Sequence, residues 1–191
     1  MIEKILELDA KLFLYLNNLG NPTWDWFWLL ITDKWTAIPL YALLLYFIFR
    51  RYGVKGTLIS MVLVALLITC TDQFANLFKH AFERPRPCRQ EGVMEYARYI
   101  AVNCGRYGYF SAHAASSFAL AIFSGLILKM TYPKLIYVML FWALVVSYSR
   151  IYVGVHYPLD VITGMLIGAI LGYLFYLLQV YLLRRFKVTF S

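Results

Sequence analysis

Residues Ser149–Asp160, SRIYVGVHYPLD, lie between two long apolar runs. This position places the stretch at or near the end of a membrane span. An arginine, a histidine and an aspartate within twelve residues are costly beside lipid unless they are paired or used in function. Two earlier stretches, 79–87 and 110–113, carry similar side chains, and the three stretches together hold all three histidines of the chain. We therefore expect them to meet at one site.

The composition is that of a membrane protein. The 191 residues are 62% hydrophobic and 15% charged, whereas soluble domains have roughly 45–50% apolar and about 25% charged residues. The first residues, 1–7, lack the basic region followed by an apolar core that marks a cleavable signal peptide. We predict an all-α integral membrane protein in which residues 1–191 form a single membrane-embedded domain.

The net charge of +8 does not indicate a nucleic-acid-binding protein. The basic residues are not gathered on one face or in one run, as a nucleic-acid site requires. They fall at the ends of apolar runs and in the three polar stretches, which favours anionic lipid or phosphate as the partner. Oligomeric state does not follow from the sequence.

The apolar periodicity predicts about five transmembrane helices after an N-terminal amphipathic helix. Residues 1–20 carry apolar side chains at helical spacing but too many charges for a span, so they are expected to lie in the membrane interface. The start of the first span is open, because residues 35–49 are short for a span and adding residues 24–32 would place Asp33 and Lys34 inside it. We favour one span with these two charges near its outer end. The expected spans are 35–49, 57–78, 111–129, 135–147 and 158–183.

Charge at the span ends predicts the orientation in the membrane. Basic clusters at 50–55, 129–134 and 184–187 fall on one side, which the positive-inside rule makes cytoplasmic. Residues 79–110 and 149–160 then share the opposite side as extracytoplasmic segments, although the first of them is also basic. Cys88 and Cys104 lie in that long loop, where they are either a disulfide or two unrelated thiols.

The polar side chains expected on that side suit phosphate chemistry. Cations and a hydroxyl at a helix start bind oxyanions, and a histidine held by a carboxylate can attack phosphorus while a second histidine protonates the leaving oxygen. No metal cluster is evident, since the glutamates of the loop have no histidine at ligand spacing. The candidates are Lys79, Arg86, Ser111, His113, Arg150, His156 and Asp160.

Their spacing resembles the type 2 phosphatidic acid phosphatase family. Lys79 is separated by six residues from Arg86-Pro87, and Ser149-Arg150 is followed by His156 after five residues and by Asp160 after three more. The middle motif departs from the family's usual Pro-Ser-Gly-His, because it is FSAH at 110–113. Ser and His are kept, so we expect the chemistry to be kept as well.

The resemblance implies a role for each motif residue. His156 would form a phosphohistidine, Asp160 would orient it, and His113 would protonate the leaving group. The phosphoryl oxygens would be bound by Lys79, Arg86, Ser111, the backbone N–H of Ala112, and Arg150. The family implies a metal-independent reaction without a cofactor. Arg84 is interpreted as a solvated loop residue, and Tyr152 and Tyr157 as members of the interfacial aromatic belt.

The family acts on lipid phosphates or diphosphates. The small size of the chain resembles the bacterial members, so undecaprenyl diphosphate or phosphatidylglycerophosphate is the expected substrate, with lipid A phosphate or phosphatidic acid as alternatives. We expect an inner-membrane protein whose active site faces the periplasm or cell exterior. A non-enzymatic lipid or anion transporter is an alternative of another class, and a structural scaffold protein is a third.

Overall fold

The computed structural model describes residues 2–188, except for the side chain of Lys34. Its regular elements within this range are helical, as predicted. Short 3₁₀ turns occur at Lys34–Ala37 and Pro87–Arg89. The α-helices are α1 Ile2–Asn18, α2 Pro22–Thr32, α3 Ile38–Phe82, α4 Ala112–Ile127, α5 Leu135–Tyr152 and α6 Pro158–Arg185.

Helix α3 covers both of the first two predicted spans and is interrupted between them. Gly53 has φ 61° and ψ −169°, a conformation that is open almost only to glycine. Residues 38–48 on one side of this break and 60–68 on the other line a common apolar cavity, so the two arms of α3 lie side by side. One glycine therefore converts a long helix into a helical hairpin.

Within residues 2–188, three segments are long and apolar enough to cross a membrane: Trp35–Phe82, Leu135–Tyr152 and Pro158–Arg185. Helix α4 is apolar but has only 16 residues, fewer than the roughly 20 that a span needs. The prediction of an all-α membrane protein is confirmed. The number of five spans stays a prediction, because it counts the two arms of α3 separately and includes the short α4.

The short helix α4 lies at the centre of the bundle. Its residues are buried on nearly every side, and it packs closely against α6. Gly164, Gly168 and Gly172 face it from α6, where an added Cβ would meet the carbonyl oxygens of Ser111, Ala115 and Ala119 in turn. The glycines therefore allow the two backbones to approach, which is the usual way that helices pack in lipid. This packing holds the start of α4 beside the start of α6.

The N-terminal helix α1 is docked on the protein. Phe13 is fully buried, and its ring packs edge-on against Tyr157 with 5.4 Å between the ring centroids. The Nδ2 of the buried Asn17 donates to the carbonyl oxygens of Arg98, Ile151 and Tyr152. Other apolar side chains of α1 are exposed, as an interfacial helix requires; these are Ile2, Ile5, Leu6, Leu8 and Leu12.

Tyr152 and Tyr157 are each only 3% exposed, so their assignment to the aromatic belt is wrong. Their rings are covered by α1 and α2, which the sequence pattern did not predict to fold back onto this surface. Tyr152 stacks on Trp28 of α2 and its hydroxyl donates to Asp25. Both tyrosines therefore belong to the protein interior.

The beginning and the end of the long loop between α3 and α4 are joined to each other. A disulfide joins Cys88 to Cys104, with 6.4 Å between their Cα atoms. Near it, Pro85 and Tyr107 form an antiparallel bridge, and the N–H of Gly108 donates to the carbonyl oxygen of Arg84. The segments before and after the loop are therefore held side by side at the point where they enter the bundle.

Candidate active site

The three polar stretches meet around one cavity of about 450 Å³. The cavity lies where α3 ends, where α4 begins and where α5 gives way to α6. Six of the predicted residues line it: Lys79, Arg86, Ala112, His113, Arg150 and His156. The two others, Ser111 and Asp160, are fully buried behind this lining. The expectation that separate parts of the sequence converge is thus met by the geometry.

His156 and Asp160 face each other in the short segment that joins α5 to α6. His156 Nδ1 lies 3.4 Å from Asp160 Oδ2, and the same oxygen accepts the N–H of Tyr157 at 3.0 Å. Distances of this kind often shorten when a substrate binds. Nδ1 makes no hydrogen bond at this separation. If the contact shortens, Asp160 can hold a proton on Nδ1, and Nε2 is then the ring nitrogen available to react.

The surroundings of His156 keep its ring neutral. Burial lowers the pKa of His156 well below its ordinary value of 6.5, and the nearby charges of Arg86, Arg150 and Lys79 lower it further. A neutral imidazole has a free lone pair and can act as a nucleophile at neutral pH. The cations thus serve two purposes, because they also attract the phosphate.

The start of α4 supplies His113 and a positive helix end. Ser111 is the N-cap residue, and its side chain accepts the N–H of Ala114 at 3.4 Å. Its own N–H donates to the carbonyl oxygen of Asp160 at 3.0 Å. Ser111 therefore orients the helix start from behind, whereas Ala112 and His113 reach the cavity. The free N–H groups of this first turn favour an anion.

Each cation of the cavity is positioned by a different element. Lys79 comes from the last turn of α3. The Nε of Arg86 donates to the carbonyl oxygen of Tyr107 at 3.0 Å, so the loop bridge orients its guanidinium. Arg150 is in the last turn of α5 and donates to the hydroxyl of Thr32, the last residue of α2. These three cations present their remaining donors to one cavity.

The sequence reasoning missed several residues of this site. Arg84 is not a solvated loop residue: its side chain is 14% exposed and is paired with both Asp9 and Asp160. Nothing in the pattern around Arg84 distinguishes it from its neighbours. Asp9 could have been found, because it lies on the apolar stripe of α1 four residues before Phe13. Thr32 and Asp72 also line the cavity.

Among residues 2–188, no group of three or more His, Cys, Asp or Glu side chains is arranged to hold a metal ion. The groups that face the cavity are cations, histidines and helix N–H donors, with Asp33 and Asp72 at its side. This donor set suits an anion and differs from the carboxylate-rich sets that bind Mg²⁺ or Ca²⁺.

Comparison with known proteins gives matches over most of the chain. The sequence pattern of the PAP2 superfamily matches residues 54–184. The lipid A 4'-phosphatase of Bacteroides thetaiotaomicron is 36% identical over 190 residues, which cover 98% of this chain and 84% of that protein. The undecaprenyl-diphosphatase of Sulfolobus acidocaldarius is 33% identical over 144 residues, which cover 74% of this chain and 62% of that protein.

Solved structures agree with this relationship. The crystal structure of Aquifex aeolicus LpxE matches with a TM-score of 0.68 and 25% identity, covering 88% of this chain and 94% of that one. The transmembrane PAP2-type phosphatidylglycerolphosphate phosphatase from Bacillus subtilis matches with a TM-score of 0.71 and 19% identity, covering 90% and 84%. At that identity the second match shows the fold alone.

Helices long enough to span a membrane, around a cavity lined by cations and two histidines, indicate the class of a membrane-bound phosphatase. The chain belongs to the PAP2 superfamily, and with these relatives it is a lipid phosphatase. The resemblance seen in the spacing of Lys79, Arg86, His113, His156 and Asp160 is thereby confirmed at the level of the family.

Proposed function

We propose that this chain removes phosphate from a lipid A-type glycolipid through a phosphohistidine intermediate on His156, without a metal ion. One observation carries this chemistry: His113, His156 and three cations line the same cavity at the start of α4. Asp160 stands directly behind the reacting ring. This geometry and the family support the role proposed for each residue.

The first step transfers the phosphoryl group to the enzyme. Nε2 of His156 attacks phosphorus while the ester P–O bond breaks, and a proton that His113 carries in the complex with the phosphate anion passes to the leaving oxygen of the lipid. Lys79, Arg86, Arg150 and the N–H groups at the start of α4 hold the three non-bridging oxygens as charge moves onto them. Asp160 stabilises the positive charge that forms on the ring of His156.

The second step restores the enzyme. The now neutral His113 takes a proton from a water molecule, whose oxygen attacks the phosphorus of the phosphohistidine. The P–N bond breaks, inorganic phosphate forms, and the pair of electrons returns to Nε2 of His156. The same residue thus acts first as general acid and then as general base, which microscopic reversibility favours.

Our choice of lipid differs from the sequence-based expectation. The lipid A 4'-phosphatase relative matches 98% of the chain, including the N-terminal helices, whereas the undecaprenyl-diphosphatase relative matches 74%. A match over almost the whole chain favours lipid A over undecaprenyl diphosphate or phosphatidylglycerophosphate. We propose the 4' phosphate as the first position to test and undecaprenyl diphosphate as the second substrate.

We further propose that the protein lies in the inner membrane with the cavity on the periplasmic side. The disulfide between Cys88 and Cys104 favours this side, since disulfides persist in oxidising compartments. Lipid phosphates of the outer leaflet would reach the cavity directly from the bilayer.

The experiment is a turnover panel with the purified protein in detergent. Lipid A, undecaprenyl diphosphate, phosphatidylglycerophosphate and phosphatidic acid are compared at equal surface concentration, with and without EDTA. Mass spectrometry of the lipid product distinguishes loss of the 4' phosphate from loss of the 1 phosphate. We expect EDTA-resistant phosphate release from lipid A, and none with His156→Ala. Full activity of His156→Ala would contradict the mechanism, and preference for another lipid would contradict only the substrate.

A further inference from the structure

Asp160 contacts more than the catalytic histidine. While its Oδ2 faces His156 and accepts the N–H of Tyr157, its Oδ1 accepts Nη1 of Arg84 at 2.7 Å. The carboxylate is completely buried. Both of its oxygens are therefore occupied, and the orientation of the carboxylate depends on where Arg84 is held.

Arg84 is in turn held by the N-terminal helix. Its Nη2 donates to Oδ2 of Asp9 at 2.6 Å, and Oδ1 of Asp9 accepts the N–H of Leu159 at 2.9 Å. The guanidinium lies over the ring of Tyr157, 4.1 Å from the ring centroid. One planar arginine thus bridges a carboxylate from α1 and the carboxylate that orients the nucleophile, and the fork geometry of arginine suits such a bridge.

We propose that Asp9 and Arg84 are positioning residues for His156, so that α1 forms part of the catalytic apparatus of this enzyme. Asp9 acts on Arg84, Arg84 fixes Oδ1 of Asp160, and Oδ2 is thereby aimed at Nδ1 of His156. Asp9 lies outside residues 54–184, where the superfamily pattern matches. The inference rests on the proposed nucleophile but not on the proposed lipid.

Docking of α1 alone does not require this arrangement. Phe13 and Asn17 already attach α1 to the protein by packing and by four hydrogen bonds. The N–H of Leu159 needs only an acceptor, which an asparagine amide at position 9 would also provide. A charge at position 9 is needed only for its ion pair with Arg84. Replacement of Asp9 by asparagine therefore separates positioning from simple attachment.

The test compares Asp9→Asn and Arg84→Lys with Glu7→Gln. Glu7→Gln is the matched control, because Glu7 lies on the same helix and undergoes the same change from carboxylate to amide, but its ion pair with Lys11 is exposed. Orthovanadate binding gives the fraction of competent sites in each preparation. The measured quantity is the single-turnover rate constant of phosphate release per competent site, together with the substrate concentration at half-maximal rate.

For Asp9→Asn and for Arg84→Lys we expect this rate constant to fall by about tenfold or more, with a change of half-saturation below about twofold. Glu7→Gln should match the wild type. The double variant should be no slower than Arg84→Lys alone, since Asp9 acts through Arg84. A purely structural role would lower the fraction of competent sites and leave the rate constant unchanged.

Two results would overturn the inference: a wild-type rate constant in Asp9→Asn, or losses that multiply in the double variant. If Asp9→Asn yields no folded protein, Arg84→Lys alone decides, because it keeps the positive charge and loses only the fork. Turnover in His156→Ala would instead show that the proposed nucleophile is wrong. The failure of the two proposals can thus be told apart.

Discussion

His156 is buried and has three cations close to it, and both conditions favour the neutral form of its ring. Since burial and the three nearby cations lower its pKa well below 6.5, a proton binds only at a lower pH than for a solvated histidine. The ring therefore remains neutral, and competent to attack phosphorus, as the pH falls through 6.5. The cations Lys79, Arg86 and Arg150 that bind phosphate thus also keep the nucleophile ready.

This lowered pKa can be measured by following the ring signals of ¹³C-labelled histidine during a pH titration. We expect the signal of His156, assigned by its loss in His156→Asn, to keep its neutral position from about pH 8 to about pH 5.5. A midpoint at or above 6.5 would contradict the burial and the cation contacts that we describe.

Thr32 orients Arg150 through its hydroxyl, and its removal should weaken phosphate binding. Thr32→Val keeps the shape but leaves a buried guanidinium N–H without its acceptor, at a cost of about 1 kcal/mol or about fivefold in affinity. The inhibition constant of orthovanadate measures this change. Thr32→Ser retains the hydroxyl and should bind orthovanadate as the wild type does. Equal affinity in both variants would argue against a role for Thr32.

The individual motif residues could be predicted for two reasons. Their spacing is characteristic of the family, and each polar or charged side chain costs free energy when it is placed beside lipid. His113, His156 and Asp160 were identified in this way. Arg84 was not, because its partner Asp9 is 75 positions away in the sequence and a single sequence does not reveal such pairs. Ser111 was expected to bind phosphate directly, whereas the structure places it as the cap of α4. Its role as a ligand stays a prediction.

Among the elements, the loop between α3 and α4 positions Arg86 and is closed by the disulfide. The two cysteines are 16 positions apart, and closing a loop of this size stabilises a protein by about 3 kcal/mol in the chain-entropy account. The backbone next to Cys104 includes Tyr107, whose carbonyl oxygen holds Arg86. Loss of the disulfide should therefore disturb the position of Arg86 in the cavity.

We expect the double variant Cys88→Ser/Cys104→Ser to lose activity and to be cut faster by protease within the loop. The half-saturation for substrate should rise more than the maximal rate falls, because Arg86 binds phosphate. Cys70→Ser is the control, since Cys70 is a free thiol in α3. Unchanged kinetics in the double variant would show that the bridge at Pro85 and Tyr107 suffices to hold Arg86.

The contact between α4 and α6 depends on Gly168, where a Cβ would meet the carbonyl oxygen of Ala115. Gly168→Ala should destabilise the protein by about 1–3 kcal/mol, because neither backbone can move away within the bundle. Thermal unfolding in detergent measures the loss. Leu166→Ala, at a position 61% exposed on the same helix, should change the unfolding temperature far less. An equal drop in unfolding temperature for both variants would show that the glycines do not form the close contact between α4 and α6.

Helices were predictable from apolar periodicity, but their connections were less so. The charged residues 50–55 were taken as the end of one span, and the helix is interrupted there at Gly53, which makes the turn. Apolar periodicity does not show which residue makes that turn. Apolar periodicity also could not predict that α1 and α2 dock over the site. Both contacts depend on Phe13, Asn17 and Trp28, whose partners are distant in the sequence.

In the whole molecule, the basic clusters gather at the end opposite the cavity. Arg51 donates to the hydroxyl of Thr131 at 2.6 Å, and Lys55 donates to the carbonyl oxygen of Phe186 at 2.9 Å. Helices α4 and α6 begin at the cavity and reach this basic end at their last residues. The three basic clusters that the sequence assigned to one side therefore lie at one end of the fold, while the basic residues of the cavity and its loop lie at the other end.

This arrangement predicts that the cavity faces away from the cytoplasm, which labelling of single introduced cysteines can test. In a Cys70→Ser background, Glu95→Cys lies in the exposed loop near the cavity, and Met130→Cys lies at the basic end, where Met130 is 81% exposed. A membrane-impermeant maleimide added to spheroplasts should label position 95 and not position 130, while both should react after detergent treatment. The reverse pattern would place the basic clusters outside. In that case His156 would act on lipids of the inner leaflet, and the disulfide would have to persist in a reducing compartment.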